Sequence, residues 1–435
     1  MPHETSRSVV FPSSSPSEAY ASDLERMGRS VPIGSSDDGW LVLAHALHRW
    51  SLLTNDAARP TLACAADAIA INAIASGVSP HSSLMRSAKA LRAMTDPAKL
   101  MESGNTAALE LFVATQAVAE EQELAGAYGL AFATLNSLLN AFGNSVTPRA
   151  RGNVLAQLGR AVRQLGVPDL AQEYYEEAMN LGYEHETLDV VARALLGLGV
   201  LGAMRGNYPM ARQQFERALV NADSSKDPEL IRLAHHGLMS CSISCGDLDS
   251  ALVHGWSVLR LCIAPDSRAE ALMNMAEVCR LTGEHDAALR VYAVAMQWTS
   301  QARVRAHAIG GALQCAVAAN RPLDVRRYLQ ELERTLPKVS DTYTRTVVAL
   351  ESSIALQHLG ETAAAAAQLK EAAAVAAANS FHELVHRADQ VARSRQLTVT
   401  VAHHPIPHSR RTKPKRSDEF RMVLRSLRGL TSAAL

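Results

Sequence analysis

Apolar residues recur with the period of an α-helix over most of the chain, and short turns interrupt them at regular intervals. Apolar positions three and four residues apart predict amphipathic helices, joined here as pairs. A small residue that ends the first helix of each pair recurs at intervals of 40, 40, 40, 37, 37 and 40 residues. These turn residues are Gly126, Gly166, Gly206, Gly246, Gly283, Asn320 and Gly360. The chain is therefore predicted to contain a repeated helical hairpin.

The second helix of each pair carries a stripe of small, large and small side chains at the fifth, ninth and twelfth positions after the turn residue. The fifth position holds Ala131, Ala171, Ala211, Ala251, Ala288, Val325 and Ala365. The ninth holds Leu135, Tyr175, Phe215, Gly255, Tyr292, Leu329 and Leu369, and the twelfth is again mostly Ala, Leu or Val. A small residue lets two helices approach closely, and a large one fills the gap toward the next pair. Each hairpin then has an apolar face that only stacking buries.

This spacing resembles the tetratricopeptide repeat over roughly residues 112–378. The best unit carries the signature residues Leu198, Gly199, Gly206, Tyr208, Ala211, Phe215 and Ala218, and the match is poorest around Asn320. The resemblance implies an all-α fold, a right-handed α-solenoid of stacked helical hairpins in a tetratricopeptide-like superhelix. It also implies that the first helices line a concave groove for a peptide or helix of a partner. Because the period exceeds 34 residues, we expect longer helices or longer turns between hairpins.

The periodicity divides the chain into four segments. Residues 1–38 are rich in Ser and Pro and are predicted to be a disordered leader, and residues 39–105 a helical cap or divergent repeats. Residues 106–397 hold about seven repeat units, and residues 398–435 form a basic tail with a short amphipathic helix. Thr147-Pro148 and Asp227-Pro228 are predicted helix starts, with a capping side chain followed by proline.

Composition excludes several classes of protein. The chain has 43 Lys and Arg residues against 43 Asp and Glu, and this balance argues against a dedicated nucleic-acid binder. No apolar run has the length of a signal peptide or of a membrane span. The six cysteines lack the spacing of a disulfide framework, which favours a reducing compartment. We expect a cytoplasmic protein that needs no cofactor.

One motif suggests metal chemistry. His382-Glu383-Leu384-Val385-His386 matches HExxH, in which two histidines one turn apart bind zinc and the glutamate polarises a bound water. The motif lacks a third ligand at a recognised spacing, and only 49 residues follow His386. Zinc hydrolysis through this motif is therefore a remote alternative, and the sequence predicts a protein that is not an enzyme.

Cys241 and Cys245 are also one helical turn apart, and His235 and His236 precede them. Such a spacing can bind a metal. In the repeat register, however, both cysteines fall late in a first helix, where small apolar side chains pack. We expect both to belong to the core.

The C-terminal segment is strongly basic. Residues 403–435 hold eight basic residues against two acidic ones, so the rest of the chain carries an equal excess of acid. Phe420, Val423, Leu424, Leu427 and Leu430 recur at helical spacing. A basic amphipathic helix can cap the array, bind a partner, or contact an anionic surface or the protein's own acidic body. The candidate contact residues of the tail are Arg410, Arg411, Lys413, Lys415 and Arg416.

Counting back from the turn residues gives candidate residues of the groove. They are Asn153, Arg160, Arg163, Arg193, His236, Ser240, Glu277 and Arg280. The three arginines in the first half are expected to attract carboxylates through charge-assisted hydrogen bonds. The predicted function is a non-catalytic scaffold that binds a protein or peptide partner. The alternative is a sensory or regulatory array, in signalling or transcription, whose shape responds to a bound peptide or small molecule.

Overall fold

The computed structural model describes Leu43, Leu47, 65–67, 69–70, Ser79, 82–95, 106–143, 146–339, 341–379, 381–400 and 416–429. The leader, most of the N-terminal segment and the basic residues Arg410, Arg411, Lys413 and Lys415 lie outside these residues. Leu430 also lies outside them.

The described residues form α-helices and one 3₁₀ turn, with no strand among them. The bounds are α1 Ser83–Thr95, α2 Thr106–Leu124, α3 Tyr128–Phe142, α4 Pro148–Gln164, α5 Pro168–Glu184, α6 Leu188–Met204, α7 Tyr208–Ser225, α8 Pro228–Ser244, α9 Leu248–Leu261, α10 Pro265–Leu281, α11 His285–Trp298, α12 Ala302–Ala318, α13 Pro322–Thr335, α14 Thr342–His358, α15 Thr362–Ala378, α16 His382–Thr400 and α17 Asp418–Arg428, with the 3₁₀ turn at Leu336–Lys338. The prediction of an all-α solenoid of stacked hairpins is confirmed. The even-numbered helices α2 to α14 are the first helices of the hairpins. The odd-numbered helices α3 to α15 are the second helices.

Every predicted turn residue adopts the left-handed backbone conformation. The six turn glycines have φ between 73° and 81°, and Asn320 has φ 52°. The same two hydrogen bonds close each first helix; at Gly166, for example, its N–H donates to the carbonyl of Arg163 and the N–H of Val167 to that of Val162. This is the Schellman motif, which satisfies the last carbonyls of a helix and favours a residue that tolerates positive φ.

The turns between hairpins are built from capping side chains. The hydroxyl of Thr147 accepts from the N–H of Ala150, and Asp227 accepts from the N–H of Leu230. Both predicted helix starts are thus confirmed. Glu186 and Lys226, also in such turns, have φ of 54° and 55° without being glycine, a feature that the sequence pattern did not indicate.

The chain divides into two compact units, residues 1–230 and 231–435. The core of the first unit runs through consecutive hairpins and includes Phe132, Leu158, Tyr175 and Leu201. The core of the second includes Leu252, Met275, Tyr292, Ile309 and Val348. Within each unit the apolar stripes of neighbouring hairpins bury one another, as expected for a solenoid.

Large and small side chains compensate between neighbouring hairpins. The ring of Tyr175 lies against Gly197, where an added Cβ would come within 2.2 Å of the ring, and Tyr292 lies against Gly311 at 2.3 Å in the same way. Each glycine is nine residues before the turn residue of its own hairpin, and each tyrosine is nine residues after the turn residue of the preceding one. The missing side chain thus makes room for an aromatic ring from the hairpin before it.

Candidate interaction surface on the first helices

The first helices of successive hairpins pack directly on one another. In the first unit α4 contacts α2 and α6, and in the second α10, α12, α14 and α16 form a similar row. In the first unit the second helix α5 packs between α4 and α6, and in the second unit α11 packs between α10 and α12. The side of each row that its second helices do not cover is called here the first-helix face. Six of the eight predicted groove residues lie on helices of these rows, and His236 and Ser240 lie on the first helix α8.

In the first unit, Arg160 already has a partner. Its Nε is 2.6 Å from Oε2 of Glu123 on α2, and the amide of Gln157 donates to the same carboxylate. Burial raises the pKa of Glu123, and Arg160 acts in the opposite direction. Glu123 therefore neutralises Arg160, a pairing that the groove prediction did not include.

Arg163 and Arg193 are differently placed. Arg163 bonds the hydroxyl of Tyr175, whose pKa is raised by burial although Arg163 opposes the shift. Arg193 is exposed and forms no ion pair with another described residue. The side-chain oxygen of Asn153 is buried without a hydrogen-bond partner in the described part of the chain. This face therefore offers two arginines to a ligand, while the Asn153 oxygen is buried and becomes available only if neighbouring side chains move.

In the second unit, Glu277 and Arg280 form a tight pair. Arg280 Nε is 2.7 Å from Glu277 Oε2, and the hydroxyl of Tyr292 donates to the same oxygen at 3.0 Å. Burial acts to raise the pKa of Glu277, but the hydrogen bonds and the positive charge of Arg280 outweigh it and lower the pKa. The tyrosine that fills the space beside Gly311 thus also holds a carboxylate on the first-helix face.

Glu351 and Arg387 extend this cluster to α14 and α16. Arg387 donates to one carboxylate oxygen of Glu351, which is only 3% exposed. The other oxygen, Oε2, is buried with no hydrogen-bond partner among the described residues. Burial raises the pKa of Glu351, while Arg387 and Arg280 lower it. We call Glu277, Arg280, Glu351 and Arg387 the charge cluster; it is balanced in charge and retains one unused acceptor.

The sequence indicated only half of this cluster. Glu351 is nine residues before its turn glycine, the position that glycine holds at Gly197 and Gly311. The only sequence feature that could have indicated the role of Glu351 was a charged residue at a position that holds glycine in these other hairpins. Arg387 belongs to α16, beyond the last complete hairpin, where no repeat register applies.

The remaining groove candidates lie on α8. His236 and Ser240 are exposed, and the hydroxyl of Ser240 donates to the carbonyl of His236 at 3.1 Å, as is common within a helix. Cys241 nearby is buried, as expected, but Cys245 is exposed. The expectation that both cysteines belong to the core was therefore wrong for Cys245, which is in the last turn before Gly246.

Neither a family model nor a curated protein matches the chain. Solved structures do. The aspartyl phosphate phosphatase F of Bacillus subtilis is similar with a TM-score of 0.50 and 11% identity, over 80% of this chain and 95% of that one. The chain has a tetratricopeptide-like fold. A Rap protein complexed with competence and sporulation factor gives a TM-score of 0.46, with 11% identity over 85% of this chain and 99% of that one. PilF of Pseudomonas aeruginosa gives 0.42, with 19% identity over 54% of this chain and 95% of that one.

Within this tetratricopeptide-like array the HExxH motif forms the first turns of α16. His382 and His386 are both exposed, and the ring Nε2 of His386 is 2.9 Å from the side-chain nitrogen of Gln390. The carboxylate of Glu383 accepts a hydrogen bond from the hydroxyl of Tyr343. Among the described residues, no group of three or more His, Cys, Asp or Glu side chains could hold a metal ion. The glutamate that a zinc hydrolase would need is here tied to the neighbouring hairpin.

The described helices also bear on membrane association. None of them has both the length and the apolar content required to cross a bilayer.

Proposed function

We propose that the protein is a non-catalytic scaffold that binds an extended peptide or a helix of a partner protein along the first-helix face. The observation that carries the proposal is the exposed Arg193, which forms no ion pair with another described residue. It lies on the same row of helices as Arg163 and Asn153. Charged and polar groups that no other described residue satisfies are suited to an external ligand.

The chemistry of this face defines the partner. Glu123 neutralises Arg160, so Arg163 and Arg193 carry the remaining positive charge. Carboxylates of an acidic segment would bind to these guanidinium groups through charge-assisted hydrogen bonds. A protein or peptide with acidic residues is therefore the proposed partner.

The experiment is affinity purification of the tagged full chain, followed by measurement of partner affinity for point variants. Arg193→Glu is expected to weaken binding at least tenfold, because it replaces attraction by repulsion at an exposed site. Arg212→Glu is the matched control, since Arg212 is an arginine on the second helix α7. Equal affinity of both variants for the partner would remove the first-helix face of the first unit from the proposal.

The sensory alternative also has an observation in its favour. The charge cluster joins α10 to α14 and α16 in the second unit, so a ligand that donates to Glu351 Oε2 would change contacts between several hairpins. Binding of a low-mass compound that is lost in Glu351→Gln, with the protein partner retained, would favour this alternative.

A further inference from the structure

The last helix, α17, does not cap the array. It follows α16 in the chain but packs against α9 and α11, several hairpins earlier. Arg416 bonds Asp249, which is 167 positions before it. The apolar cluster at the end of the array, which includes Leu350, Leu369 and Leu384, holds no residue of α17.

The contact of α17 is apolar at its centre. Phe420, Val423, Leu424 and Leu427 are 1%, 1%, 6% and 0% exposed and join the core of the second unit. They are spaced at three and four residues, so they form one stripe along the helix. A helix of 11 residues has little stability in water by itself. We therefore expect α17 to be helical only while it is docked.

Both ends of α17 are held by charge. Arg416 Nη1 is 2.8 Å from Oδ1 of Asp249, and the N–H of Ser417 donates to Oδ2 of the same carboxylate at 2.8 Å. At the other end, Arg428 Nη2 is 2.6 Å from Oε2 of Glu284. Asp249 is in the first turn of α9, and Glu284 directly precedes α11.

The same position in other hairpins shows why α17 docks here. Asp169 and Asp286, like Asp249, are three residues after their turn glycines. Asp169 is paired with Arg205 at 2.8 Å and Asp286 with Arg321 at 2.6 Å, and both arginines come from the turn of the following hairpin. Arg205 directly precedes its turn residue Gly206, and Arg321 directly follows its turn residue Asn320. The turn residue after Asp249 is Gly283, and Thr282 and Glu284 occupy the positions before and after it. Asp249 therefore receives no arginine from the array, and α17 supplies one.

We propose that the surface of α9 and α11 between Asp249 and Glu284 is a second docking site, for a short amphipathic helix with an arginine at each end. The tail helix α17 is its tethered occupant, and a partner helix of the same chemistry displaces it. This site lies on second helices and is separate from the first-helix face.

Because α17 is tethered to the array, a partner helix must compete with it for the site on α9 and α11. Residues 401–417 connect α16 to α17 and can span up to about 56 Å, so α17 reaches this site within one chain. A tethered ligand of this kind has an effective concentration of the order of millimolar. A partner helix binds only when it overcomes that concentration, which keeps the site closed in the absence of the partner.

The test uses the full chain and a fluorescent peptide of residues 416–429 as the probe. In the double variant Val423→Asp, Leu427→Asp, the tethered helix cannot dock, so the probe is expected to bind at least tenfold more tightly than to the wild type. Adding Asp249→Lys to this variant is expected to abolish binding, and adding Asp169→Lys, at the same register position on α5 of the first unit, is the matched control that leaves it unchanged. Fluorescence anisotropy measures all four proteins, and circular dichroism checks that they are folded.

Two results would overturn the proposal. One is equal binding of the probe to the wild type and to the folded double variant; the other is no binding to the double variant. A dimer of the wild type that the double variant cannot form would show exchange of α17 between two chains and would overturn displacement within one chain.

Hydrogen exchange of the wild type keeps the proposal testable if the variants fail to fold. The amides of α17 are expected to exchange faster than those of α12, and the difference is expected to grow with salt as the two end contacts are screened. Equal protection of α17 and α12 at low and high salt would make α17 a fixed part of the core and contradict the proposal.

Discussion

Two adjacent glycines on α12 give a direct test of the packing between hairpins. Alanine is favoured over glycine within a helix by about 1 kcal/mol. At Gly310 an added Cβ would be 3.4 Å from Val348 and 3.5 Å from Glu351, which is ordinary contact. Gly310→Ala is therefore expected to stabilise the protein by about 0.5–1 kcal/mol.

The neighbouring substitution has the opposite sign. At Gly311 the Cβ would be 2.3–2.8 Å from ring and hydroxyl atoms of Tyr292, whereas carbon atoms in contact are about 3.5–4.0 Å apart. Tyr292 is 2% exposed and its hydroxyl is held by Glu277, so the ring has no space to move into. Overpacking costs about 1–3 kcal/mol and exceeds the helix gain, so Gly311→Ala is expected to lose about 1–2 kcal/mol.

Urea unfolding followed by far-ultraviolet circular dichroism measures the difference between the two variants. We expect a gap of about 1.5–3 kcal/mol, or roughly 3–12 °C in Tm for a unit of this size. The double variant Gly311→Ala, Tyr292→Ala should lose less than the sum of the two single changes, because the clash is then absent. If both glycine variants were equally stabilised, the explanation of Gly311 by aromatic packing would be refuted.

Three further predictions concern packing, reactivity and pH. Phe215→Ala is expected to cost about 3–5 kcal/mol, with hydrogen exchange rising only in the adjacent hairpins, since Phe215 is 3% exposed; a rise throughout the chain would contradict nearest-neighbour stacking. Iodoacetamide should modify the exposed Cys245 before Cys279 and Cys315, whose pKa values burial raises to about 12; mass spectrometry of native protein checks the order. The pKa of Glu351 is raised above its value of 4.5 in the unfolded chain, so the folded protein binds more protons and stability falls as pH rises from 4.5 through the folded pKa. Glu351→Gln should flatten this dependence in unfolding measured from pH 4 to 8, and an unchanged slope would show that another group causes it.

Much of the fold follows from local physical chemistry and was therefore predictable. A turn that needs positive φ selects glycine or asparagine, and this requirement repeats in each hairpin, so the seven turn residues mark the register. The alternation of small and large side chains then follows from close packing. Lys226 and Glu186 also adopt positive φ, but their residue types carry no such signal.

The candidate surface was less predictable, because it depends on which charges meet across hairpins. Arg160 was correctly placed on a first helix, but its neutralisation depends on Glu123 from the preceding hairpin. The pairing of Glu351 with Arg387 joins helices more than 30 residues apart without a repeat pattern. The position of α17 had no signal in its own segment, since it depends on an arginine that is missing from the turn at Gly283.

The central claim is that a partner binds the first-helix face, and crosslinking tests it most directly. A photoreactive amino acid is placed at Arg193 in one protein and at Val220 in another, the latter being 66% exposed on the second helix α7 of the same unit. The account predicts that the partner is crosslinked from position 193 and not from position 220. Crosslinking from position 220 alone, or equally from both, would contradict it.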